Sequence, residues 1–137
     1  MYKPKILVVD DIPENIEALV TILEELETET EIISCTNGND AVIEAMKHDF
    51  ALMLLDVQMP GMDGFETLKY IRKEDKNKVV PALFLSAVYT SEVFQQKGVS
   101  SGAIDFIIKP INSEILLGKV KLFLEINDYK YKLVKRQ

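Results

Sequence analysis

Residues Phe50–Gly64 read FALMLLDVQMPGMDG. Within them, Ala51 to Leu55 is an apolar run of five with no polar break. That length suits a strand buried on both faces, as in a parallel sheet covered by helices. The run stops on Asp56, and the Val-Gln-Met-Pro-Gly that follows neither continues a strand nor starts a helix cleanly. Open α/β sheets place ligands and chemistry at the carboxyl ends of their strands. A lone Asp at a strand end more often caps a turn, so the meaning of Asp56 depends on what the other strands bring to the same edge.

Upstream, Lys5–Val9 is a short β-branched strand ending on the pair Asp10–Asp11. Pro13 at the first helical position and Glu14 in the first turn start a helix. Ile12, Ile16, Leu19, Leu23 and Leu26 follow at spacings of four, three, four and three, one apolar stripe of that helix. Glu31–Thr36 predicts a second strand, closed by Asn37–Gly38, and Ala41, Val42, Ala45 and Met46 mark a short helix. Downstream, Asp63 and Glu66 have the spacing of a capping box for a helix running to about Lys73, with Phe65, Leu68 and Ile71 as its apolar side. Lys73–Lys78 reads as a charged turn, Val79–Leu85 as a strand reaching Ser86, and Tyr89–Lys97 as a weaker helix. Ala103–Ile108 is a fifth strand ending on Lys109–Pro110, and Asn112 caps the last helix. Five strands alternating with helices specify a parallel sheet with helices on both faces and right-handed crossovers.

In such a sheet the carboxyl ends of all strands share one edge. Asp10–Asp11, Asp56, Ser86 and Lys109 should therefore converge. Three carboxylates and one ammonium leave two net negative charges in one cleft. Two carboxylates about 4 Å apart repel by roughly 4 kcal/mol at an effective dielectric of 20. The cluster either raises its own pKa values or holds a divalent cation, unless Lys109 simply salt-bridges an Asp with no metal. Mg2+ fits best, because it takes hard oxygen ligands and usually acts through one or two carboxylates plus a phosphate. A carboxylate beside that ion, with an ammonium opposite, is placed to attack a phosphoryl group.

The acidic pair after the first strand, LLDVQMPGMDG, Ser86–Ala87 and DFIIKP at Asp105–Pro110 stand in an order and spacing that resemble a response-regulator receiver domain of two-component signalling. The resemblance covers Lys3 to about Lys121. It implies a flavodoxin-like five-stranded sheet of order 2-1-3-4-5 and a phosphorylation-dependent switch, not a conventional enzyme, that catalyses its own phosphorylation and dephosphorylation. Asp56 would accept a phosphoryl group from a histidine kinase or phosphotransfer protein. Asp10, Asp11, Asp56 and the backbone carbonyl of Gln58 would hold Mg2+, and Lys109 would bind the phosphoryl oxygens across a cis Lys109–Pro110 peptide. Ser86 would turn to the phosphoryl group and Phe106 would follow it inward. Ser86 stands where the family often has Thr, Phe106 where Tyr is frequent, and Ile111 where Phe is common. Gln58 and Val88 hold positions that tune hydrolysis in this family, and an apolar Val88 predicts slow loss of the phosphoryl group.

From Asn112 to Gln137 there are 26 residues, about 39 Å of helix. Leu117, Val120, Leu124, Asn127, Tyr131 and Val134 alternate steps of three and four, a coiled-coil seam with Asn127 as a polar register-setter. Leu116 and Phe123 lie beside it and are candidates to face the sheet. The reading is a receiver over 1–121 and a helical extension over 122–137, a homodimer contact and linker to an output domain beyond Gln137. The alternative is a terminal helix lying on its own domain.

With 137 residues, 47% hydrophobic and 28% charged, the chain suits one globular domain. A net charge of −6 argues against a nucleic-acid footprint, which needs clustered Lys and Arg. The N-terminus shows no long apolar run of the leader type and no segment approaches 18 apolar residues, and the single Cys35 reads as a small buried hydrophobe. These features predict a cytoplasmic location. His48 is expected on the solvated surface, and Met53, Met59 and Met62 in packing and loops. The competing functions are a Mg2+-dependent phosphohydrolase, a degenerate receiver acting as a scaffold, and a flavodoxin-like cofactor binder. The first generally has an Asp where Gln58 stands, and the last needs a phosphate-cradling loop that the acidic pair replaces.

Overall fold

Ile6–Val9, Leu52–Leu55 and Ala82–Leu85 are fully shielded from solvent, as burial on both faces requires of the inner strands of a parallel sheet. The computed structural model describes residues 2–87, 96 and 105–135. Its strands are β1 (Lys5–Val9), β2 (Glu31–Cys35), β3 (Leu52–Asp56), β4 (Ala82–Ser86) and β5 (Asp105–Ile108), with helices α1 (Pro13–Leu23), α2 (Gly38–Lys47), α3 (Gly64–Arg72) and α4 (Ser113–Lys135). All pairings are parallel, in the order β2-β1-β3-β4-β5. This is the expected architecture. The helix expected at Tyr89–Lys97 lies outside the described residues apart from Gln96.

The two-residue alternation of each strand sorts the core into two layers. Leu7, Val9, Met53, Leu55 and Phe84 pack with α2 and α3 through Ala41, Ala45, Phe65, Leu68 and Ile71. Ile6, Val8, Leu52, Leu54, Leu83 and Leu85 pack with α1 and α4 through Leu19, Leu23, Leu116, Val120 and Leu124. Helices therefore cover both faces, and the strand ends are left to the loops.

Several local expectations change. Ile12 lies outside the buried stripe, 46% exposed, because the helix begins only at Pro13 and Ile12 keeps an extended backbone as its N-cap. Asn37 does not close β2 but caps α2, its side chain accepting the Asp40 N–H at 2.8 Å. Met46 faces solvent. β4 starts at Ala82, not Val79, since pairing with β3 begins only at Met53 opposite Ala82. The charged turn contains a 3-10 helix, Asp75–Asn77, whose last residue is buried. The Asp63 cap of α3 is as expected, accepting the Glu66 N–H at 2.9 Å.

The largest difference concerns α4. The helix is continuous across residue 121 and runs for 23 residues, about 35 Å. Most of the stripe expected to form an intermolecular seam faces inward. Val120 and Leu124 are core residues, while Asn127 and Tyr131 are half-buried and engage Tyr2. Val134 alone in that stripe is well exposed. Leu116 and Phe123 also face the core. No helix among the described residues is long and apolar enough to cross a membrane.

Candidate functional site

The register Val9 opposite Leu55 carries Asp10 and Asp56 off the same edge of adjacent strands. Asp10 is fully buried and organises the turn into α1. Its Oδ1 accepts the Ile12 N–H at 3.0 Å and the Asn15 Nδ2–H at 3.3 Å, and its Oδ2 lies 3.3 Å from Lys109 Nζ. Asp56 is 4% exposed, with Oδ1 accepting from Lys109 Nζ at 2.9 Å. Lys109 follows β5 and is fixed to β4 by its N–H, which donates to Ser86 O at 2.8 Å. The Lys109–Pro110 peptide is cis. β5 lies beyond β4 from β3, so the lysine's four-carbon stem spans the gap to the acids.

One atom lacks a partner. Asp11 Oδ1 is buried with no hydrogen-bond partner among the described residues, a costly condition for an ionised oxygen. Oxygens of Asp10, Asp11 and Asp56 come within 4.8 Å of one another. Three hard donors so close, one of them orphaned and with Lys109 the one cation beside them among the described residues, fit a small divalent ion with an oxygen preference. Burial is the main cause that pushes the Asp56 carboxyl above its ordinary value of 3.8; the Lys109 hydrogen bond pulls the other way, and the Asp10 charge adds to the rise. Burial alone would lower the Lys109 ammonium, but the hydrogen bond and charge of Asp56, with Asp10 behind, hold it above its usual range.

The loop after β3 closes tightly. The Gly64 N–H donates to Val57 O at 2.9 Å, and a Cβ at Gly64 would lie 2.4 Å from Asp56 O and 3.0 Å from Val57 Cα. Those are backbone atoms, so neither can rotate away. Gly64→Ala is therefore expected to lower stability by about 1–3 kcal/mol, the usual cost of overpacking, and to displace Asp56. A urea midpoint lowered with an unchanged slope checks the first part. Gly61, at φ 75°, takes a conformation suited to glycine in the same loop.

Asp10, Asp11, Asp56 and Lys109 thus come together as expected, and Ser86, buried at the end of β4, joins them through its carbonyl, which accepts the Lys109 N–H. Phe106 is half-buried against Phe84, with ring centroids 5.4 Å apart. Gln58 lies exposed in the loop two residues past Asp56. Val88 is outside the described residues. Asn15 was not anticipated as part of the site; a polar residue in the first turn of α1, facing the strand-end acid, was its only signal. A cavity of about 280 Å³ opens beside these groups, between Leu19, Ile22, Leu85 and Ile111, with Asp10 and Lys109 at its polar side. His48 is half-buried, not solvated, with Nε2 3.2 Å from Glu44 and Nδ1 3.3 Å from Lys5 Nζ. Met53 and Met59 are packing residues. Cys35 is buried, and burial followed by the Glu44 and Asp40 charges pushes its thiol up to about 11, which makes it inert.

Residues 6–121 match the response regulator receiver domain. The chain belongs to that family. As a receiver it is similar to protein PilH of Pseudomonas aeruginosa, 28% identical over 120 residues that cover 88% of this chain and 97% of PilH. It is 38% identical over 120 residues to the transcriptional regulatory protein CpxR homolog of Haemophilus influenzae, covering 88% of this chain but 50% of that relative. Among solved structures, the chemotaxis protein CheY4 of Vibrio cholerae superposes with a TM-score of 0.81 at 31% identity, covering 89% of this chain and 99% of CheY4. The receiver thus spans nearly all of some relatives and half or less of others. Membership makes it a phosphoacceptor signalling switch and not a conventional enzyme. Receiver domains interact with histidine kinases or phosphotransfer proteins.

Proposed function

We propose that Asp56 is the phosphoacceptor of this receiver, served by Asp10, Asp11 and Lys109. The observation that carries the proposal is the buried carboxylate cluster with one unsatisfied oxygen, set 2.9 Å from a lysine ammonium. An ionised Asp56 oxygen attacks the phosphorus of a phosphohistidine; a P–O bond forms, the P–N bond breaks, and the imidazole nitrogen keeps the electron pair and takes a proton from water. Asp10, Asp11, Asp56 and the backbone carbonyl of Gln58 would hold Mg2+, which when bound neutralises charge on the transferring group. Lys109 then exchanges its Asp56 bond for one to a phosphoryl oxygen. Ser86 turns its hydroxyl to another, and Phe106 moves inward behind it. Since β5 runs through Lys109 into α4, that helix receives the change.

The same residues admit water for hydrolysis, in which a water oxygen bonds to phosphorus, the Asp56 O–P bond breaks and inorganic phosphate leaves with Asp56 regenerated, so the domain catalyses its own phosphorylation and dephosphorylation, with Val88 making the second step slow. In this reading the chain works in the cytoplasm with a sensor histidine kinase or phosphotransfer protein. It passes its state through residues 122–137 to an output domain and pairs with a second copy through α4. It makes no contact with nucleic acid or membrane.

The test is intact-mass spectrometry during treatment with acetyl phosphate, with no kinase added. A single phosphoryl adduct that requires Mg2+ and decays without added phosphatase is expected. No adduct at any Mg2+ concentration would leave only a protein-binding scaffold.

A further inference from the structure

The cavity beside the strand-end acids is apolar in its depth and charged on one side. Leu19 and Leu85 are buried walls, and Ile22 and Ile111 are half-buried ones, around a volume of about 280 Å³. Ala18, exposed on α1, stands at the rim. Asp10 and Lys109 form the polar side, and Asp56 is not part of the lining. The Asp10 oxygens are already engaged by the Ile12 N–H, Asn15 and Lys109. Lys109 is different. Its ammonium carries three protons, and among the described residues Asp10 and Asp56 take two of them. Apolar walls offer water few partners, and an apolar cavity of about 150 Å³ already admits a group the size of benzene. One cation therefore adjoins both the Asp56 carboxylate, at 2.9 Å, and a space shaped for a short hydrocarbon.

We propose, on the footing that Asp56 is the phosphoacceptor, that this cavity holds the acyl chain of a small acyl phosphate. The phosphodonor class is one whose leaving group is a carboxylate with a short apolar chain. Lys109 holds the anionic head, and the chain lies among Leu19, Ile22, Leu85 and Ile111. With Asp56 outside the lining, the leaving group then sits away from its attacker, as an in-line displacement requires. An Asp56 oxygen bonds to phosphorus and the bond from phosphorus to the bridging acyl oxygen breaks. That oxygen keeps the electron pair and departs in the carboxylate, so no proton has to be supplied. Acetyl phosphate brings only a methyl group to the cavity. Butyryl phosphate brings two more methylenes, each worth about fourfold when buried, so it should be used about fifteenfold more efficiently at low donor concentration. The chain is buried equally before and during transfer, which places the gain in the half-saturating concentration rather than in the maximal rate.

The test follows adduct formation by intact mass on the full chain with Mg2+, over a concentration series of acetyl, butyryl or hexanoyl phosphate. A half-saturating concentration about fifteenfold lower for butyryl than for acetyl phosphate is expected in the parent. Ala18→Leu narrows the rim from an exposed position and should bring that ratio towards one. Ile111→Ala enlarges the cavity and should raise the preference for hexanoyl over butyryl phosphate above that of the parent, a gain that a loosened fold does not produce. Should Ile111→Ala fail to fold, the Ala18→Leu ratio decides. Equal use of acetyl and butyryl phosphate by the parent, or a butyryl preference that neither variant moves, overturns the proposal and leaves the Asp56 reading standing. No adduct from any of the three donors overturns both.

Discussion

Replacing Asp56 with Asn is expected to abolish the phosphoryl adduct completely while making the metal-free protein more stable. The first effect follows because the amide has no ionised oxygen to attack phosphorus. The second follows from linkage. Burial holds the Asp56 carboxyl above its ordinary value of 3.8, so between that value and the raised one the folded state binds a proton more readily than the unfolded chain. Stability contributed by this group grows as pH falls through the raised value, and ionised Asp56 works against the fold at neutral pH. Asp56→Asn removes that burden along with one of three clustered carboxylates. Thermal unfolding without Mg2+ should therefore show a higher midpoint for the variant, and added Mg2+ should narrow the difference by stabilising the parent more. The same raised value sets a pH dependence for the parent: adduct formation should fall off on acidification before an ordinary Asp would begin to protonate. A destabilised Asp56→Asn protein would mean that Lys109 overcompensates the acids.

The second large effect lies away from the site. Asn77 is 1% exposed. Its Oδ1 accepts the Phe50 N–H at 2.9 Å, and its Nδ2 donates to Ala45 O at 2.6 Å and His48 O at 2.9 Å. One side chain thus satisfies three backbone groups at the corner where α2 turns into β3. Arg72 braces it, with Nη1 donating to Asn77 O at 2.8 Å. Asn77→Ala leaves those groups without partners, at a cost of about 2–4 kcal/mol. The measurement is a urea unfolding midpoint. Asn77→Asp keeps the shape and the acceptor but sets a carboxylate against two carbonyl oxygens, so it should be at least as damaging. A midpoint within about 0.5 kcal/mol of the parent for either variant would show that water replaces the side chain there.

Asn77 also shows why part of the molecule was hidden in the sequence. It stands in KEDKNK, where every neighbour is charged and solvated, and its partners lie 27 to 32 residues away. No local pattern marks it. Tyr2 is the same case, since its partner Asn127 is 125 residues distant. The strand-end acids were legible for the opposite reason. Parallel pairing turns a simple alternation along the chain into one edge in space, so the strand ends alone place Asp10, Asp56, Ser86 and Lys109 together. Val79 misled because Val-Val-Pro-Ala looks like one apolar run, whereas hydrogen bonding to β3 decides where β4 begins. In α4, the buried stripe and the exposed one of Leu122, Ile126, Tyr129 and Leu133 share the same steps of three and four. Periodicity finds both stripes but cannot choose which one faces the sheet; α1, β3 and the Tyr2 contacts make that choice.

The central claim, that Asp56 takes the phosphoryl group, is tested most directly by trapping the acyl phosphate chemically. Borohydride reduces an aspartyl phosphate to homoserine. The parent chain is treated with acetyl phosphate and Mg2+, reduced, digested and sequenced by mass spectrometry. Homoserine at position 56, and at no other aspartate, is the predicted result. Homoserine at Asp10 or Asp11, or a phosphorylated protein in which Asp56 stays intact, would contradict it.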